Sequence, residues 1–129
     1  MDIINHVDQI IHAAAQVIYD KRGSNIFASN IQQASLVTDG LLIAEGNVAR
    51  HVIGLADAVI IFLKTFQEEP VHIEGLEDGE WVVLDYSNFM VHLMTPEMRR
   101  KYQLDQLHPT GNIIDLKLNT AESDKKISG

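Results

Sequence analysis

The stretch from Trp81 to Met94, WVVLDYSNFMVHLM, constrains the fold most, because its alternating pattern is typical of two strands joined by a tight turn. We take Ser87-Asn88 as a two-residue turn, in which Asn tolerates a positive φ. This register makes one face of the hairpin entirely apolar, so that face must be the core side. Its cross-strand pairs are Tyr86–Phe89, Leu84–Val91 and Val82–Leu93.

The other face of the hairpin is chemically mixed. Asp85 and His92 become diagonal neighbours on it, about 7–8 Å apart at Cα, which is near enough for an imidazole–carboxylate contact. Aromatic residues and Met are enriched in protein-binding patches. Two interpretations remain open: a recognition surface, or a face covered by a further helix with Asp85–His92 as a structural contact. The cross-strand pairs on this face are Asp85–Met90, Val83–His92 and Trp81–Met94.

The rest of the chain predicts an element order of α-β-β-α-β-β-β-α. This order favours an α/β fold of the α+β kind, with a mixed sheet of about five strands and helices mainly on one face. The second helix is apolar on most of its circumference, which predicts packing between the sheet and the first helix. The other predicted elements are a helix at 2–20, strands at Asn25–Ile31, Asp39–Ala44 and Pro70–Glu74, a helix at about 48–66 capped by Asn47, and a last helix opened by Thr95-Pro96-Glu97.

Length and composition predict one domain at 1–109 and a flexible polar C-terminal extension at 110–129, in which Ile113–Leu118 offers an extra edge strand. The chain has no cysteine, which excludes disulfides and thiolate metal sites. The longest apolar run, Ala58–Leu63, is too short to cross a bilayer, and the first residues do not resemble a signal peptide. We therefore expect a cytoplasmic protein without membrane contact.

The charge balance indicates the kind of partner. Ten Lys and Arg against eighteen Asp and Glu give a formal net charge of −8. Binding to phosphate backbones needs clustered cations, and the dense basic spots here are Lys21-Arg22 and Arg99-Arg100-Lys101. The sequence thus predicts little direct nucleic-acid binding and favours a basic protein partner.

Catalytic and metal-binding patterns are weak. No nucleophile in a recognisable turn accompanies His92, and the six histidines are scattered without a His-x-x-x-His pair. We predict no catalytic residues, no metal and no cofactor. One alternative remains open, a nucleotidyltransferase-like enzyme that holds Mg²⁺ with Asp39 and Asp85, although two-metal chemistry needs clustered carboxylates.

Several segments together resemble the ribosomal silencing factor family, also called RsfS or Iojap-like. The resemblance covers about residues 17–108 in the family's order and spacing. It implies a nucleotidyltransferase-like topology without catalytic carboxylates. It further implies binding to the large ribosomal subunit through large-subunit ribosomal protein fourteen, which blocks joining of the small subunit and represses translation when nutrients are short. The matching segments are TDGLLIAEGNVARHV (Thr38–Val52), Glu74-Gly75, Trp81–Met94 and TPEMRRKYQLDQL (Thr95–Leu107).

The hairpin and this resemblance together predict a partner-binding surface. In it, Asp85 and His92 are interpreted as an orienting pair rather than a catalytic dyad. Glu45 departs from the family pattern, which has Thr at that position. A homodimer through the sheet edge or face is a compatible possibility. The predicted partner-binding residues are Trp81, Asp85, Tyr86, Met90, His92, Met94, Arg99, Tyr102 and Leu104.

Overall fold

The computed structural model describes residues 3–30 and 40–103, together with Leu116 and Leu118. The predicted element order is confirmed. Asp39, Leu104 and most of the predicted strand Ile113–Leu118 lie outside the described residues. The elements are α1 (Ile3–Asp20), β1 (Ser24–Asn30), β2 (Gly40–Glu45), α2 (Ala49–Lys64), β3 (His72–Glu74), β4 (Trp81–Asp85), β5 (Phe89–Met94) and α3 (Pro96–Tyr102).

The five strands form one mixed sheet in the order β1-β2-β5-β4-β3. Strand β2 runs parallel to β5, and every other neighbouring pair is antiparallel. A parallel pair needs a long crossover, and here α2, β3 and β4 all lie between its two strands in the chain. The predicted hairpin register is confirmed, from Trp81 opposite Met94 to Asp85 opposite Met90.

The hairpin turn differs from the prediction at one residue. Ser87, and not Asn88, has the positive φ, at 77°. The backbone N–H of Ser87 donates to Oδ1 of Asp85 at 2.8 Å, and the N–H of Tyr86 donates to the carbonyl of Phe89 at 2.9 Å. The Asp85 carboxylate therefore holds the turn in a conformation that Ser rarely adopts alone.

The main core lies between the sheet and the two long helices. Helices α1 and α2 contact each other on the same sheet face, with α1 over β1 and β2 and α2 over β4 and β5. The predicted arrangement of helices on one face is thus confirmed, as is the core side of the hairpin. Fully buried side chains include Ile11, Ile18, Leu42, Leu55, Val82, Leu84, Val91 and Leu93.

The surface of α2 is less completely covered than its apolar composition predicts. Its buried residues form a single stripe, and Ile61 on another side is 68% exposed. The helix does contact both α1 and the sheet. The number of apolar residues around α2 therefore overestimates how much of the helix is buried. Only the side chains of the stripe that faces the core are classed as buried. The stripe consists of Val52, Leu55, Ala56, Val59 and Leu63.

The start of α2 is also held differently from the prediction. Val48 is the residue at the cap position and makes no side-chain capping bond, so the predicted Asn47 cap is wrong. The backbone N–H of Asn47 donates to Nδ1 of His51 at 2.9 Å, and the His51 Nε2 lies 2.9 Å from the carbonyl of Lys21. Because Nδ1 accepts, Nε2 carries the ring proton and donates. His51 thus ties the start of α2 to the end of α1.

Tyr86 is buried in the main core and places its hydroxyl group there. Its ring stacks on Phe89 with centroids 4.9 Å apart, and its hydroxyl has no hydrogen-bond partner among the described residues. Burial, followed by the negative charge of Glu68, raises the pKa of Tyr86 to about 12 from an ordinary value of 10.0. The native state therefore favours the protonated phenol more than the unfolded chain does.

This raised pKa predicts a specific alkaline destabilisation. The contribution of Tyr86 to stability is complete below about pH 10, where the phenol is protonated in both states, and is lost as the pH rises towards 12. We expect the free energy of unfolding to fall more steeply between pH 10 and 12 in the native chain than in Tyr86→Phe. Urea unfolding at a series of pH values measures this, and parallel curves for the two proteins contradict it.

Candidate partner-binding surface

The sheet face opposite α1 and α2 carries a second, smaller hydrophobic cluster. Its centre is fully or nearly buried, with Leu41, Ile43 and Met94 exposing 4% or less of their surface. Strand β2 is consequently buried along its whole length, since neighbouring side chains point into opposite clusters. Half-buried side chains packed on this cluster are Phe27, Trp81 and Met98.

Helix α3 covers one end of this face. As predicted, Thr95 caps its start and Pro96 is its first residue; the Thr95 Oγ1 accepts from the N–H of Met98 at 3.4 Å. The helix ends where Gln103 takes a left-handed conformation and its N–H donates to the carbonyl of Arg99 at 3.0 Å. The interpretation in which a further helix covers this face is therefore correct for one part of it, and the recognition surface stays a prediction for the rest.

Arg99 attaches α3 to the sheet. Its Nη1 donates to the carbonyl of Asn25 at 2.8 Å and lies 3.6 Å from Oε2 of Glu45. The two charged side chains are only 11% and 9% exposed. Asn25 has a φ of 50° and lies at a register shift in β1. Arg99, predicted to contact a partner, is instead nearly buried and joins α3 to β1 and β2.

An aromatic strip runs from the hairpin onto the end of α3. We define it as His92, Trp81 and Tyr102. The indole Nε1–H of Trp81 donates to Nδ1 of His92 at 3.0 Å, and the Trp81 and Tyr102 ring centroids are 4.9 Å apart. Tyr102 is 45% exposed, and the Lys101 ammonium lies 5.6 Å from its ring centroid. The strip presents amphipathic rings in a fixed arrangement, which suits protein recognition.

The remaining predicted site residues fall into two groups. Asp85 and Met90 are half-buried on the same face as the strip. Tyr86 and Met94 are 3% and 0% exposed and belong to the two hydrophobic clusters, so their predicted place on a contact surface is corrected. Tyr86 points to the helix side of the sheet, and Met94 lies under α3. Leu104 is outside the described residues.

Asp85 and His92 have different described partners. Asp85 accepts from the turn N–H of Ser87, and His92 accepts from Trp81. Both Trp81 and Asp85 are diagonal neighbours of His92 in the hairpin register. Strand twist makes the two diagonals of a cross-strand pair unequal in length, and an alternation pattern does not reveal which is shorter. Sequence reasoning therefore identified the right neighbourhood but missed the Trp81–His92 bond.

The described residues lack features of other site classes. Within residues 3–30 and 40–103, no group of three or more His, Cys, Asp or Glu side chains is arranged to hold a metal ion. Of the two carboxylates in the Mg²⁺ alternative, Asp85 binds the turn and Asp39 is not described. In the same part of the chain, no helix is long and apolar enough to cross a membrane.

Comparison with known proteins identifies the family. The family model described as "Ribosomal silencing factor during starvation" matches residues 4–128. The chain belongs to the ribosomal silencing factor (RsfS) family. The resemblance seen in the sequence is thereby confirmed.

Relatives of known name agree with this assignment. The ribosomal silencing factor RsfS of Chromobacterium violaceum is 30% identical over 101 residues, 78% of this chain and 83% of the relative. That of Halalkalibacterium halodurans is 28% identical over 111 residues, 84% and 92% of the two chains. A mouse protein named mitochondrial assembly of ribosomal large subunit protein 1 is 32% identical over 73 residues, covering 54% of this chain and 32% of the mouse protein.

Solved structures support the same fold. A crystal structure of a Chromobacterium violaceum protein superposes with a TM-score of 0.76 at 30% identity, covering 84% of this chain and 87% of that one. A Bacillus halodurans structure gives a TM-score of 0.71 at 26% identity, covering 86% and 98%. The mixed α+β fold with a five-stranded sheet is therefore shared with solved relatives.

Removal of the Arg99 guanidinium should destabilise this RsfS family member. Arg99→Met keeps the aliphatic stem but leaves the nearly buried Glu45 carboxylate without its cation, at a cost of about 3 kcal/mol. The matched control is Arg100→Met, at the next, exposed position, where we expect a change within about 0.5 kcal/mol. Urea unfolding compares the two, and equal midpoints refute the anchoring role.

Proposed function

We propose that this chain is a ribosomal silencing factor that binds the large ribosomal subunit through large-subunit ribosomal protein fourteen. It then sterically blocks joining of the small subunit and represses translation when nutrients are short. Membership of the RsfS family carries this proposal. The name of the mouse relative, which refers to the ribosomal large subunit, supports the choice of subunit.

The aromatic strip, with Met90 beside it, supplies the contact surface in this proposal. Trp and Tyr are the residue types most often found as binding hot spots, and both bury a large area at low conformational cost. The Trp81–His92 bond and the contact between the tilted Trp81 and Tyr102 rings hold the side chains in place before a partner arrives. A preorganised surface loses less entropy on binding.

The charge of the chain supports a basic protein partner rather than ribosomal RNA. A formal net charge of −8 repels phosphate and attracts the Lys- and Arg-rich surface expected of an RNA-bound ribosomal protein. Asp85 lies on the strip's face of the sheet and adds a carboxylate there. The partner therefore meets apolar rings with acidic groups nearby.

Silencing by this route requires only that the protein stay bound to the large subunit, and it involves no chemical step. A bound protein excludes the small subunit for as long as it remains on the joining face, so the effect depends on Kd and on the dissociation rate. Inhibition should be stoichiometric, saturating at one protein per large subunit. A catalyst would instead act at far lower ratios.

The first test mixes the purified protein with separated ribosomal subunits on a sucrose gradient. We expect co-migration with the large subunit and fewer joined ribosomes. Tyr102→Ala should weaken binding by about 1–2 kcal/mol if Tyr102 is part of the anchor, and Trp81→Ala by about 2 kcal/mol or more. Phe66→Ala is the matched control, because Phe66 and Tyr102 are aromatic residues exposed by 47% and 45%.

Melting curves must accompany these variants, since Trp81 and Tyr102 also pack on each other. Migration of the native protein only at the top of the gradient, at low salt, rules out the proposed function. Equal binding by folded Tyr102→Ala and Phe66→Ala variants leaves the function standing and refutes the position of the surface.

A non-enzymatic role predicts no Mg²⁺-dependent nucleotide binding. Calorimetry with ATP and Mg²⁺ should give only heats of dilution, because two-metal chemistry requires clustered carboxylates. The control repeats the titration with EDTA. A saturable heat that needs Mg²⁺ and disappears in Asp85→Asn favours the nucleotidyltransferase-like alternative.

A further inference from the structure

The negative charge of the chain is concentrated in one segment. Residues 65–98 contain eight of the eighteen acidic residues and none of the ten Lys and Arg. This segment therefore carries the whole formal net charge of −8, and the rest of the chain is balanced. The acidic residues are Glu68, Glu69, Glu74, Glu77, Asp78, Glu80, Asp85 and Glu97.

Strand β3, at one edge of the sheet, lies within this segment. On its inner side it pairs with β4, and the N–H of Val71 just before it donates to the carbonyl of Asp85 at 2.7 Å. In the described part of the chain, no strand pairs with its outer side. All its residues are exposed; Ile73 is 36% exposed and Val71 68%. An open edge with apolar side chains can accept an added strand.

A depression lies beside this edge. It has a volume of about 450 Å³ and is lined by Ile73 and Leu76 together with the acidic residues Glu77 and Asp78. Gly75, which also lines it, has a φ of 87°, and a Cβ there would clash with the Trp81 carbonyl oxygen. The turn is thus held close against β4. Two apolar side chains beside two carboxylates suit the long alkyl stem and cationic head of Lys or Arg.

The negative charge beside the edge of β3 favours some binding partners over others. A second copy of the chain would bring its own acidic segment against Glu77 and Asp78, and like charges across an interface are costly. Nucleic acid would bring phosphates. An extended protein segment with Lys or Arg matches the backbone edge, the apolar side chains and the carboxylates together.

We propose that β3 and the acidic turn Gly75–Glu80 dock an extended, Lys- or Arg-bearing segment of the ribosomal partner, as a second contact beside the aromatic strip. This inference rests on the proposed function. Strand β3 is the neighbour of β4, which carries Trp81. Ile73 is paired with Leu84 and so faces the helix side, whereas Trp81 lies on the other face. A strand added at this edge would point alternate side chains to the two faces, so one partner can reach both surfaces.

The test compares two charge reversals with the same change in net charge. Glu77→Lys with Asp78→Lys alters the depression, whereas Asp20→Lys with Asp57→Lys alters exposed positions on the two long helices. The dissociation constant for the isolated large subunit is measured with labelled protein, alongside melting curves. We expect at least a tenfold weaker complex for the first variant and a change within twofold for the control.

Each other outcome has a distinct meaning. Unchanged binding by a folded Glu77→Lys/Asp78→Lys variant overturns the docking edge and leaves the proposed function intact. Equal weakening by both variants shows that overall charge, and not this edge, matters, which also overturns it. Tighter binding by the first variant identifies RNA as the neighbour of the turn. Failure of the native chain to bind removes the proposed function and this inference together.

Discussion

The parallel pairing of β2 with β5 is the constraint on which the rest of the molecule depends. It places β2 between β1 and the hairpin, so the strand whose residues are all buried lies inside the sheet and not at its edge. Its side chains point alternately into two different clusters, with Leu42 and Ala44 on the helix side and Leu41 and Ile43 on the other. Burial of every residue of β2 leaves both faces of the sheet in need of cover.

The helices cover the two faces of the sheet to very different extents, and the candidate partner-binding surface lies on the less covered face. Two long helices close one face, whereas α3, with only seven residues, covers an end of the other. A helix of that length is not stable alone and must be held by tertiary contacts. Arg99 supplies them through Asn25 and Glu45, where the resemblance leads one to expect Thr at position 45. The position of Tyr102 on Trp81 therefore depends on a buried ion pair about one helical turn away.

The sequence predicted features that are encoded locally. Strict alternation around Ser87-Asn88 was enough for the hairpin register, because a slip of one residue would turn Leu84 and Val91 to the wrong face. The order of helices and strands was predictable for the same reason, because the spacing of apolar residues that distinguishes them is a local property of the sequence. The burial of Met94 and Arg99 was not predictable, since it depends on where α3 docks across strands that are distant in the chain. The predicted Asn47 cap is wrong because the helix begins one residue later, with Val48 at the cap position, and the N–H of Asn47 donates to the His51 ring instead.

The aromatic rings and the acidic turn are separate surfaces, and in the proposed function they act at different steps of binding. Charges act over about 8 Å at physiological salt and chiefly change the rate of encounter, whereas buried rings chiefly change the rate of dissociation. In the proposed function, silencing by occupancy needs slow dissociation, which we expect Trp81 and Tyr102 to provide only after correct docking. We expect the acidic segment to favour orientations in which that docking occurs. Its concentration within residues 65–98 is therefore more useful than the same charge spread evenly, because an even distribution attracts a basic partner without orienting it.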